Sequence, residues 1–146
     1  LADEPLCVVG GPAHGLRLGS QVLPAGLATA TWILPPAGNP LRDTVEAYFA
    51  AAGKRLPADI IETVSIVATL ALLQQPRTVS VLPVDLARHY EARGMLKPLD
   101  AALPPGGGSY ALLTRANRRL SPAAQTFVEA LRAIARSGRP AGRRQP

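Results

Sequence analysis

Trp32-Ile-Leu-Pro-Pro-Ala-Gly-Asn-Pro-Leu-Arg42 is the stretch on which the reading of this chain turns. It begins inside a β-rich run, Thr31-Trp32-Ile33-Leu34, which Pro35 and Pro36 stop because proline has no N–H for a ladder. Asn39 is then a good N-cap, and Pro40 suits the first helical position, where an N–H is not needed. Leu41, Val45, Phe49 and Ala52 recur at helical spacing with Tyr48 beside them, and Gly53 closes the helix in a left-handed conformation. A strand passes into a helix through a short loop, which is the repeating step of an α/β fold.

The same step recurs on both sides. Pro5 to Val9 is a short apolar run ended by Gly10-Gly11-Pro12, a buried strand and a turn. Residues 13–29 read as a loop with one short turn around Gln21 to Leu27. Asp59 to Thr63 reads as a strand, and Ser65 to Gln75 as a helix apolar nearly all round, which predicts burial. Thr78 to Leu82 alternates and is β-branched, a strand; Pro83 opens a helix that closes near Gly94, and Met95 to Leu99 is a short strand. Pro104 to Gly108 is a linker or loop. Tyr110 to Thr114 reads as a strand, and Ser121-Pro122 repeats the cap-plus-proline signal before the apolar stripe Ala124, Phe127, Val128, Leu131 and Ile134. Strands and helices in alternation predict a mostly parallel sheet with helices on both faces.

Composition limits the function classes. The 146 residues are 47% hydrophobic and 18% charged, enough apolar material for a core, and only 4% aromatic, so aliphatic residues build it. A single cysteine, Cys7, allows no disulfide within the chain and fits a reducing compartment. The longest apolar stretch, Ile66 to Leu73, is far short of the roughly 20 residues of a membrane span. No signal peptide is visible, and a cytoplasmic location without membrane association is expected. The net charge of +6 suggests nucleic acid, but Arg136, Arg139, Arg143 and Arg144 lie in a Gly- and Pro-rich stretch, 136–146, that reads as a disordered basic tail. Without those four the body carries about +2.

Catalytic constellations are not visible. His14 and His89 are far apart, without ligand partners at metal spacing. Gly107-Gly108-Ser109-Tyr110 is not a nucleophile elbow, the phosphate-loop pattern is missing, and the carboxylates are scattered. The expectation is a protein that is not an enzyme, with no catalytic residue, metal or cofactor. A binding surface remains. Asn39 and Ser65 each head a helix, at loops that follow strands and share one edge of a parallel sheet. Either these are simple caps and turns, or they form one ligand cleft.

As a set, several motifs resemble the effector-binding (substrate-binding) domain of LysR-type transcription regulators. They are Leu1 to Val9, Trp32 to Arg42, Glu46 to Gly53, Ile61 to Ser65, Val79 to Pro83, Tyr110 to Arg115 and Leu120 to Arg132, covering roughly residues 1–132. The resemblance implies a fold like the type 2 periplasmic binding proteins, with two α/β lobes and the effector between them. Residues 12–102 would be the complete second lobe. Residues 1–11 and 103–135 would be part of the first, with a hinge through Val9, Gly10 and the region of Ala101 to Pro104. Effector contacts would come from Pro36, Ala37, Gly38 and Asn39, and from Thr63, Val64 and Ser65. The implied ligand is a small anionic or aromatic metabolite; Gln74-Gln75 is similar to a sub-branch that includes regulators of aromatic or sugar catabolism. The implied partners are a second copy, as a homodimer or higher homo-oligomer, and DNA through an N-terminal helix-turn-helix that this sequence does not contain. The alternative is a solute-binding protein of a transport system, which shares the fold but requires export.

Overall fold

The computed structural model describes residues 2–13, 15, 24–104 and 109–137. The turn expected around Gln21 to Leu27, the His14 loop, the 104–108 linker and the tail expected over 136–146 lie partly outside them; of the tail, Arg136 and Ser137 are described and continue the last helix. The chain forms two compact units, one of residues 1–3 and 108–146, the other of residues 4–107.

The larger unit holds a five-stranded sheet. Its strands are β2 (Leu6–Gly10), β3 (Thr31–Leu34), β4 (Ile60–Glu62), β5 (Thr78–Pro83) and β6 (Lys97–Leu99), in the order β4-β3-β5-β2-β6. The β4-β3-β5 half is parallel, with Trp32 opposite both Ile60 and Val79. β2 runs antiparallel to β5 and to β6, Val8 facing Val81 on one side and Leu99 on the other. The expected mostly parallel sheet is therefore mixed. The parallel strands are those joined by helical crossovers; β2 comes in from outside this alternation and pairs against its direction.

The pleat of β3 explains the two cores. Trp32 and Leu34 point to one face with Val8, Val79 and Val81, against α1 (Pro24–Leu27) and α2 (Pro40–Ala51). Ile33 points to the other with Val9 and Leu82, against α3 (Ile66–Leu72) and α4 (Val84–Glu91). Trp32 and Phe49 meet edge to face at 5.7 Å, and the Trp32 indole N–H donates to the Leu27 carbonyl at 3.2 Å. Helices thus cover both faces, as expected.

Local signals act where the sequence places them. The Asn39 side chain accepts from the Leu41 N–H, Pro40 is the first residue of α2, and Gly53 has φ +66° after the C-cap Ala52. Gly94, past α4, also has φ +66°. One expectation needs correction. The α3 helix is shorter than read and only partly covered: Thr69 and Leu70 are buried, but Val67 is 73% exposed, because a short helix lying on a sheet hides one side only. Val9 and Gly10, the residues expected at the hinge, are buried within β2 and paired on both sides, to β5 and to β6. Of residues 1–11, the first three fall in the smaller compact unit and the rest in the larger.

In the smaller unit, β1 (Ala2–Asp3) pairs antiparallel with β7 (Ser109–Tyr110). The strand expected over 110–114 ends at Tyr110, where its pairing with β1 ends. The helix α5 (Pro122–Ser137) is capped by Ser121, whose hydroxyl accepts from the Ala124 N–H at 3.3 Å. On its apolar stripe Val128 is buried, while Phe127 and Ile134 are exposed.

Candidate functional site

The carboxyl ends of the parallel strands line an open cavity of about 250 Å³ within the larger unit. Ile33 and Pro35 come from the end of β3, Thr63 and Val64 follow β4, and Ser80 to Pro83 belong to β5. Asn39 and Leu41 at the start of α2, Ile66 and Thr69 of α3, and Leu86 of α4 complete the wall. Parallel strands send their following loops to one edge of the sheet, so segments distant in sequence meet there.

Three of the seven expected contact residues line this cavity: Asn39, Thr63 and Val64. Pro36, Ala37, Gly38 and Ser65 do not, although they shape its loops. Gly38 has φ +83°, a turn conformation that favours glycine. The Asn39 N–H donates to the Pro36 carbonyl, closing that turn at 3.3 Å. Ser65 caps α3, accepting from the Ala68 N–H, and its own N–H donates to Thr63 Oγ1 at 3.1 Å. Asn39 is thus both a helix cap and a lining residue of the cavity.

Sequence reasoning missed Thr69 and Ser80. Ser80 is the one hydroxyl within the apolar centre of β5, and its Oγ donates to the Ile33 carbonyl at 2.7 Å, between neighbouring strands. Thr69 Oγ1 donates to the Ser65 carbonyl at 3.0 Å. A serine inside an otherwise β-branched and aliphatic run was the available signal.

The electrostatics are muted. Among the described residues the lining contains no ionisable side chain. Arg42, whose guanidinium donates to the carbonyl of the lining residue Pro35 at 3.4 Å, is also held by Glu46 at 2.9 Å and Glu62 at 2.5 Å. Hydrogen bonds to Glu62 first, then Glu46, raise the Arg42 pKa above its already high ordinary value, so it is a fixed cation balanced by two carboxylates. Among the described residues no cluster of His, Cys, Asp and Glu suits a metal ion, and no helix is long and apolar enough to cross a membrane.

Known proteins share both sequence and architecture with this chain. A transcriptional regulator of Azospirillum brasilense, the HTH-type regulator GbpR, is 37% identical over 134 residues, which are 91% of this chain and 39% of that protein. The HTH-type regulator GalR of Pseudomonas putida is 28% identical over 134 residues, 92% of this chain and 34% of its own length. The chain therefore spans well under half of these curated relatives. Among solved structures, the regulatory domain of Synechocystis CcmR, in complex with 2-PG, superposes with a TM-score of 0.76 at 24% identity, over 94% of this chain and 65% of its own. The effector-binding domain of QuiR, in complex with shikimate, gives 0.64 at 19% identity, over 94% and 64%. At such identities these likenesses speak for the fold: a LysR-type effector domain, like the periplasmic binding proteins. Residues 1–136 match the family described as the LysR substrate binding domain, and the chain belongs to that family.

Proposed function

We propose that this chain is the sensing part of a LysR-type bacterial transcription regulator, and that its larger unit holds a small-molecule effector in the cavity at the ends of β3, β4 and β5. The observation that carries the reading is the convergence of Asn39, Thr63, Thr69 and Ser80, from four separate elements, on one cavity. The larger unit corresponds to the second lobe of the family fold and the smaller to part of the first. It works by binding and not by catalysis: effector occupancy biases one arrangement of the lobes over another, and DNA-binding domains elsewhere in the regulator respond. Family membership favours this over a transport solute-binding role. It also supports a cytoplasmic, homodimeric or larger assembly that meets DNA through a helix-turn-helix domain.

The test uses the full-length regulator and a promoter reporter. Thr63→Tyr places a ring in the cavity mouth. The variant is expected to bind its promoter DNA as wild type does and to lose effector-dependent change in transcription. An unchanged response in a folded Thr63→Tyr protein sinks the proposal.

A further inference from the structure

Two hydroxyls make the most buried polar part of the cavity wall, and the protons of both are already committed. Ser80 Oγ and Thr69 Oγ1 donate to the carbonyl oxygens of Ile33 and Ser65. A carbonyl oxygen only accepts, so the direction of both bonds is settled by chemistry. Ser80 is 4% exposed and Thr69 6%, so bulk water does little for the lone pairs that remain. A ligand that satisfies them must bring hydrogen-bond donors. A bare carboxylate brings none: it could turn to the Asn39 amide and the Thr63 hydroxyl in the same wall, but it would leave Ser80 Oγ and Thr69 Oγ1 facing another acceptor in a partly desolvated site.

The surroundings point the same way. Among the described residues no cation lines the cavity to pair with an acid, and Arg42 is divided between Glu46 and Glu62. The heads of the helices are also partly used: Pro40 has no N–H, Asn39 takes that of Leu41, and Ser65 takes that of Ala68. Among the described residues no aromatic side chain lines the wall to stack on an aromatic ring. The rest of the wall is aliphatic, with Ile33, Leu41, Ile66, Leu82 and Leu86 ready to cover a C–H face. The open pocket of about 250 Å³ has room for a single ring.

We propose that the ligand of this cavity is a polyhydroxylated compound of the sugar or cyclic-polyol class, donating hydroxyl protons to Ser80 Oγ and Thr69 Oγ1. The inference rests on the reading of this cavity as the effector site. It departs from the small anionic or aromatic effector that the family resemblance implies.

The experiment is calorimetry and thermal melting of the full-length regulator with aldopentoses, aldohexoses and myo-inositol on one side, and benzoate and succinate on the other. A member of the first group is expected to bind saturably and raise the melting temperature, and the two acids are expected not to. Thr69→Val removes the acceptor while keeping the shape, and should weaken the bound polyol by about tenfold or more; Thr69→Ser, which keeps it, should restore binding. No binding by any polyol, or polyol affinity unchanged in Thr69→Val, overturns the proposal. Binding of benzoate or succinate that Thr63→Tyr abolishes also overturns it, while leaving the effector site in place. If binding of every ligand survives Thr63→Tyr, the cavity is not the effector site, and the reading beneath this inference fails with it.

Discussion

The guanidinium of Arg42 and the carboxylate of Glu62 meet at 2.5 Å, tying the first turn of α2 to the end of β4. Arg42 also reaches the Pro35 carbonyl and Glu46, so one side chain fixes the two loops that face each other across the cavity. A planar fork serves several acceptors at once, which an ammonium does not reproduce. Arg42→Lys should therefore weaken effector binding several-fold, which titration calorimetry of wild type and variant will read. The two glutamates are about half exposed, so the melting temperature should fall by less than about 5 °C, and by less again in 0.5 M salt. A large melting shift with unchanged affinity would mean that the tie serves the fold and not the site.

Gly11 lies against the end of α3. A Cβ there would stand 1.8 Å from the Leu73 carbonyl oxygen, far inside contact distance, with backbone on both sides of the clash. Gly11→Ala must push β2's exit away from α3 and disturb the core that Leu73 and Val9 share. We expect a loss of about 3 kcal/mol, read as a lower urea midpoint at an unchanged slope. A midpoint equal to that of wild type would show that the two segments separate at no cost.

Cys7 sits half-buried in β2 with its Sγ 3.7 Å from the Leu82 carbonyl. Burial, reinforced by the charge of Glu91 and opposed by Arg88, pushes its thiol up to about 11. A folded pKa above the unfolded value means that the neutral thiol is favoured in the fold. Its contribution is complete below about pH 9 and is lost as the pH rises through about 11, because the unfolded chain releases its proton first. Labelling by a thiol reagent at pH 8 should be slow in the native protein and fast in urea. Rapid native labelling at pH 8 would contradict this burial.

What could be read from the sequence is what neighbouring residues decide among themselves. Asn39-Pro40 starts α2, Gly53 and Gly94 end helices with positive φ, and Pro35-Pro36 stops β3, each through a steric or hydrogen-bonding preference that acts within a few residues. Because such signals follow one another in strand–helix alternation, the α/β class and the loops around the site were legible too. The tertiary structure alone decided the rest. Whether β2 joins the sheet parallel or antiparallel depends on partners some 70 residues away, Leu82 opposite Cys7, and no local preference encodes that direction. The exposure of Val67 depends on how much of α3 the sheet covers. Thr69 and Ser80 belong to one cavity because a sheet edge brings α3 and β5 together, and the commitment of their protons to Ser65 and Ile33 follows from distances that only the folded chain sets.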